Sequence, residues 1–411
     1  MNLFTIKLQC PKNDLIHMKS SELKSWLILT GLALGLTVTN GFARFAYGLL
    51  LPAMKFEMGW NYAQSGWLNT ANALGYIMGA VLTMLLIRKY SPSHLFAFGL
   101  ITTTFTLLVT GLNAEMWWQT LWRILAGIFG AMSFSTAGAL TAGLFPKEPK
   151  KNALAIAILF GSGGGLGIVL SGAFIPLMIE TFGTSIWSFG WIIIGTISLL
   201  FLPLGIWASL QLTPEIQKTV APTTLPIKKM WPELAGYAGF GLGYIVYLTF
   251  LSAWMTEQSA SASFITLIWI ILGLSICFSP IIWGPILKRY ASGFPLALIL
   301  SCIAIGSALP VIFNSTLTFF ISALVFGLSV FMAPSAVTNF TRQNLSSDSW
   351  AKAMSLFTVV FAIAQTVGPY GAGLVGDIFQ DLGMSLLTAA FILIVAAAIS
   401  LSQKPLYNSN K

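Results

Sequence analysis

Apolar runs of roughly 20–28 residues alternate with short polar connectors along nearly the whole chain. At ~1.5 Å per residue, runs of that length cross the ~30 Å hydrocarbon core as helices, whereas a spanning strand needs only ~9–11 residues. The pattern predicts twelve membrane-spanning helices, at about 25–54, 60–87, 93–113, 116–144, 152–179, 185–209, 233–256, 262–287, 293–313, 316–340, 351–376 and 383–403. They group into two six-helix bundles, 25–209 and 233–404, joined by a polar linker at 210–232 and flanked by tails at 1–24 and 405–411.

Composition agrees with this pattern. Of 411 residues, 56% are hydrophobic and 8% charged, against ~25% charged in an ordinary soluble domain. The net charge of +9 does not call for nucleic acid, because its distribution accounts for it. Of the 21 Lys and Arg, 18 fall on one side of the predicted membrane, leaving Lys55 outside and Arg44 and Arg123 within spans. That asymmetry places both termini and the linker in the cytoplasm. The first 24 residues carry four lysines and no small-residue cleavage site, so they read as a tail and not a signal peptide. Cys10, Cys277 and Cys302 lack metal or redox spacing.

An internal duplication appears when residue i is set against i+200. Gly41 meets Gly241, Tyr47 meets Tyr247, Glu57 meets Glu257, and Gly127 meets Gly327; the loop Arg88-Lys89-Tyr90 meets Lys288-Arg289-Tyr290. Six spans per half preserve orientation, so the halves are parallel repeats about an axis normal to the membrane.

With these features the chain resembles the major facilitator superfamily over its whole length. Gly79 and Arg88-Lys89 stand where that family carries its basic loop motif after span 2, although Thr83 occupies the position of its Asp. Lys288 and Arg289 repeat the dibasic pair after span 8, and Arg123-Ile-Leu-Ala-Gly127 matches the family's Arg-x-x-x-Gly element in span 4. The segment Gly41-Phe-Ala-Arg-Phe-Ala-Tyr-Gly-Leu-Leu-Leu-Pro52 is similar to the first span of the YbfB/YjiJ-type subfamily. The resemblance implies a bacterial cytoplasmic-membrane transporter working by alternating access, with spans 1, 4, 7 and 10 around a central cavity. It names no substrate.

Arg44 is the main candidate for chemistry. A guanidinium keeps its proton, and at the bilayer centre it costs at least ~2.5–3.5 kcal/mol, so a partner, water or ligand must compensate it. Thr37, Asn40, Arg44 and Tyr47 recur at helical spacing on one face of span 1. Depth counting puts Arg123 level with Arg44, and an anion between the two cations is one expectation. The other pairs Arg123 with Glu57 or Glu115 as a gate. Span 7 repeats the stripe as Tyr237, Gly241, Tyr244, Tyr247 and Trp254, so Arg44 corresponds to Tyr244. Tyrosines opposite a cation suit an organic anion with apolar area, or else pack between helices. Gln365 beside Gly368-Pro369 is a further candidate in span 11, with Ser335 and Thr338 weaker ones in span 10. Asn69, Asn72 and Tyr76 read mainly as interhelical packing.

The glycine cluster Gly161-Ser-Gly-Gly-Gly165 lacks the Lys-Ser/Thr ending of a phosphate loop and reads as a close helix contact. All 12 acidic residues fall in predicted loops, tails or span ends, Glu233 among them. Proton coupling therefore falls to Glu57, Glu115, Glu257 or Asp377, or to the substrate itself. No nucleophile–base pair, metal cluster or cofactor motif is legible. The expected function is secondary transport of a small organic anion by a monomer, with export of lipophilic or cationic drugs and a non-transporting sensor as the alternatives.

Overall fold

The computed structural model describes residues 12–145, 148–212 and 224–406. Residues 1–11 with Lys7 and Cys10, linker residues 213–223 with Lys218, and Lys147 and Lys411 lie outside the described residues. Twelve helices are long and apolar enough to cross a membrane. In the N-terminal half they are Glu22–Met58, Tyr62–Leu86, Pro92–Thr110, Met116–Ala142, Lys150–Phe182 and Thr184–Leu210. In the C-terminal half they are Ile227–Glu257, Ala262–Arg289, Phe294–Ile312, Thr316–Asn344, Asp348–Phe379 and Leu382–Leu401. These are spans 1 to 12. Span 1 begins and span 12 ends at one face of the molecule, here the terminal face; the other is the opposite face.

Polar caps fix where the helices begin. Asn61 and Gln64 form a reciprocal capping box at span 2, and Ser91, Ser261 and Asp381 each accept a backbone N–H at the starts of spans 3, 8 and 12. Span 1 ends at Gly59, whose φ of +63° is the left-handed conformation that glycine adopts without strain.

Two helices depart from the sequence pattern. Helix precedes residue 25, starting at Lys12, because hydropathy does not register a polar first turn. Span 1 is also not uniform: Thr37–Phe45 is wound as a π-helix between α-helical segments Lys12–Leu36 and Tyr47–Met58. Such wide turns free backbone groups and cluster at functional sites. Span 10 is interrupted at Phe331–Met332, between helices Thr316–Val330 and Ala333–Asn344.

The halves meet along three seams: span 1 with span 7, span 2 with span 11, and span 5 with span 8. Small residues let these backbones approach. A Cβ on Gly48 would lie 2.1 Å from the Leu248 carbonyl oxygen across the first seam. The glycine cluster of span 5 serves the same purpose. A Cβ on Gly165 would lie 2.7 Å from the Gly273 carbonyl in span 8, and one on Gly41 would lie 2.7 Å from Gly167 Cα.

Candidate functional site

Arg44 lies at the end of the π-helical stretch, 7% exposed, near the middle of span 1. Its Nη2 donates across the seam to the Tyr244 hydroxyl at 2.7 Å and to Gln365 Oε1. Tyr244 in turn donates to Gln365 Oε1 at 3.2 Å. The guanidinium sits over the Tyr76 ring, 5.1 Å from its centroid, and 5.8 Å from that of Phe45. Phe331, at the break in span 10, packs on Phe45 with centroids 5.5 Å apart. Arg44, Tyr76, Tyr244, Phe331 and Gln365 all lie close to the midpoints of their spans. Five helices and both halves therefore converge on one mid-membrane layer.

The duplication explains why this layer is central. Arg44 and Tyr244 occupy equivalent positions of the two repeats, 200 residues apart, and they touch. Symmetry-related positions can meet only close to the axis that relates them. Arg44 thus marks the pseudo-twofold axis, with its charge supplied by one repeat alone.

The charge has no anionic partner. Among the described residues neither Arg44 nor Arg123 is ion-paired with a carboxylate. Only Nη2 of Arg44 is engaged; Nε and Nη1 meet no acceptor. Gln365 is fully buried, yet its Nε2 has no acceptor either. Asn40 lies one turn below Arg44 on the same wall, its Nδ2 3.5 Å from where a Gly164 Cβ would be.

Arg123 lies level with Arg44, as depth counting expects, but its donors turn into the N-terminal half. It is 1% exposed and sits two turns from the opposite-face end of span 4. It donates to the carbonyls of Ala43 (2.5 Å) and Leu68 (3.4 Å) and to Asn69 Oδ1 (3.0 Å), and lies over the Tyr47 and Trp191 rings. Its donors are spent on the N-terminal half. Nor does it pair with Glu57, which accepts from Thr184, or with Glu115, at the start of span 4.

Tyr47 and Tyr247 also stand apart from the axis. Both are fully buried, Tyr47 donating to Ser65 O at 2.7 Å and Tyr247 sharing a 2.6 Å hydrogen bond with Ser322 Oγ. The Tyr47 ring lies under Arg123, 4.9 Å from its guanidinium, while Arg44 reaches across the seam. Trp254 stacks on Phe319 near the end of span 7. Asn69 and Asn72 pack as expected, on Thr249 and on the Arg123 carbonyl. Tyr76 is the exception to that reading: its ring lies against Arg44.

At the opposite face, Asp377 at the end of span 11 accepts the first two N–H groups of span 2, from Tyr62 (2.8 Å) and Ala63 (2.9 Å). A carboxylate at a helix N-terminus satisfies orphan donors and meets the positive end of the helix dipole. Glu257 accepts from the Tyr62 hydroxyl at 2.9 Å and pairs with Lys55 at 3.6 Å. These bonds tie spans 1 and 2 to spans 7 and 11 and clasp the opposite face shut. A pocket of about 360 Å³ remains between the halves beside the clasp, lined in part by Lys55, Glu180, Ser252 and Glu257.

At the terminal face Arg88, Lys89, Lys288 and Arg289 are exposed at the ends of spans 2 and 8. Gly79 belongs to packing, since a Cβ there would lie 2.1 Å from the Ile128 carbonyl in span 4. Glu233 stays at the terminal-face end of span 7, its Oε2 2.9 Å from where a Cβ on Gly293, just before span 9, would be. It is 1% exposed inside span 7, which begins a turn and a half earlier than hydropathy indicates, and its Oε2 has no partner.

This architecture has known counterparts. The model of a family described as "Uncharacterised MFS-type transporter YbfB" matches residues 36–401. The chain belongs to that family. It is a multi-pass membrane transporter and not an enzyme. Among curated proteins none matches by sequence. Solved structures share the transporter's fold at low identity. A bacterial homolog of the human lysosomal transporter Spinster, inward-facing and unoccupied, is 16% identical, with TM-score 0.68 over 92% of this chain and 96% of its own. The nucleoside transporter NupG is 14% identical, with TM-score 0.71 over 92% and 99%. The peptide transporter POT is 13% identical, with TM-score 0.69 over 91% and 93%.

Proposed function

We propose that this transporter carries a small organic anion across the bacterial cytoplasmic membrane by alternating access, with both termini in the cytoplasm. The observation that carries the reading is Arg44: a cation at mid-membrane, on the axis between the halves, with no carboxylate partner among the described residues and with Nε and Nη1 unused. Its neighbours Tyr244 and Gln365 are neutral. They orient the guanidinium without cancelling its charge, which leaves an anion as the partner that repays its desolvation. The planar fork of Arg suits a carboxylate, and Asn40 adds a polar group on the same wall.

A ligand on the axis is within reach of both halves, so each can close over it as they rock. The opposite-face clasp is the second element of the cycle. Glu257 and Asp377 accept its hydrogen bonds, and they are the residues to which we assign proton coupling. The distribution of Lys and Arg supports the terminal face as the cytoplasmic one.

Uptake into vesicles under an imposed pH gradient, measured across carboxylates and cationic dyes, tests the reading. The expected result is accumulation of a carboxylate that disappears in Arg44→Ala. Accumulation of dyes with no carboxylate moved overturns it in favour of drug export, and ligand binding without counterflow favours a sensor.

A further inference from the structure

The donors left open around Arg44 define more than a charge. Gln365 turns Oε1 toward Arg44 and Tyr244, and its Nε2 is buried without an acceptor. The amide cannot be reversed, because that would set an NH₂ against the guanidinium. A buried donor without a partner costs ~1–3 kcal/mol, which an acceptor brought beside Gln365 would offset. Nε and Nη1 of Arg44, which flank the engaged Nη2 on either side, are its free cationic donors, and Nε2 of Gln365 is a free neutral donor beside them.

Of the two cations at this level, Arg44 alone has free donors. Arg123 is sealed within its own half by two carbonyls, Asn69 and two aromatic rings. A dianion would leave its second charge bare in the membrane interior.

The remaining walls are aromatic. Tyr76 and Phe331 are half-buried at mid-membrane, Tyr76 against Arg44 and Phe331 against Phe45. Across the axis Tyr244 ends a stack with Phe240 at 4.5 Å and Phe361 at 5.7 Å, and Phe361 is half-buried as well. Offset ring pairs contribute beyond their area alone. We infer that the ligand is an aromatic monocarboxylate, its carboxylate held by Arg44 and Gln365 and its ring set against Tyr76, Phe331 and Phe361. This rests on the anion reading given above and adds valence and ring character to it.

Isothermal titration of the purified full chain with benzoate, cyclohexanecarboxylate, benzamide and phthalate tests it. Benzoate is expected to bind roughly two- to tenfold more tightly than cyclohexanecarboxylate, and at least about tenfold more tightly than benzamide or phthalate. Tyr76→Leu should bring the benzoate-to-cyclohexanecarboxylate ratio to about one while the melting temperature holds. Gln365→Leu should weaken benzoate about tenfold. Arg44-dependent binding of cyclohexanecarboxylate as tight as benzoate overturns the aromatic inference and leaves the anion reading standing. Phthalate bound as tightly as benzoate overturns the monovalent part. Benzamide equal to benzoate, or no carboxylate bound, overturns both readings together.

Discussion

Replacing Asp377 should open the opposite face. Its carboxylate accepts two backbone N–H groups at 2.8 and 2.9 Å from the first turn of span 2, and these bonds exist only while the halves are clasped. Charge-assisted hydrogen bonds contribute ~1.5–3 kcal/mol each, and the helix dipole adds ~0.3–1 kcal/mol. Asp377 is only half-buried, so water takes over part of this when the clasp parts. A net ~2 kcal/mol for Asp377→Ala is the working figure, a shift of roughly 30-fold toward the open form. Asp377→Asn keeps one acceptor and loses the charge, and should shift it roughly fivefold. Spin labels at Leu112→Cys and Phe313→Cys report the opening. Both sites are on opposite-face loops, one in each half, and are 66% and 61% exposed. Cys10, Cys277 and Cys302 are replaced by Ser for the purpose. Pulsed dipolar distances should gain a longer component in Asp377→Ala and a smaller one in Asp377→Asn. An unchanged distance distribution in Asp377→Ala refutes the clasp.

Three other outcomes follow from the packing. Arg123→Met should lower the melting temperature by several degrees, because three buried acceptors lose their donor; ligand affinity per folded molecule should hold, and a selective loss of affinity with normal melting contradicts this. Gly48→Ala places a Cβ 2.1 Å from the Leu248 carbonyl and should abolish transport, whereas Gly284→Ala and Gly371→Ala meet nothing within 4 Å and should transport normally. Glu233→Gln should melt at the same temperature or higher, since a neutral amide replaces a buried carboxyl whose Oε2 has no partner; a marked drop would reveal a structural partner for the charge.

The spans and the repeat were legible in the sequence because lipid tolerates few alternatives: apolar length and basic loops are imposed by the membrane itself. The same offset of 200 residues set Arg44 against Tyr244, and the fold brings them into contact. The rotation of each helix was not legible. Tyr47 and Tyr247 sit one turn from the axis, and local packing under Arg123 and against Phe326 turns them away from it. Nothing in residue spacing announces the π-helical winding of Thr37–Phe45, which changes the register of Thr37 and Asn40 against Arg44. Tyr76 and Phe331 were hidden for a related reason: an aromatic residue in an apolar helix looks the same whether it faces lipid, a neighbour or the axis. The start of span 7 was misplaced because Lys228, Lys229 and Pro232 make its first turns look like loop.

The central claim is that the unpaired charge of Arg44 binds the substrate. A thermal-shift screen of carboxylates on the wild type, repeated on Arg44→Lys and Arg44→Ala, tests it most directly. The account predicts a stabilising ligand whose shift is reduced in Arg44→Lys, where one point charge replaces the fork, and absent in Arg44→Ala. A ligand whose shift survives both substitutions unchanged contradicts it.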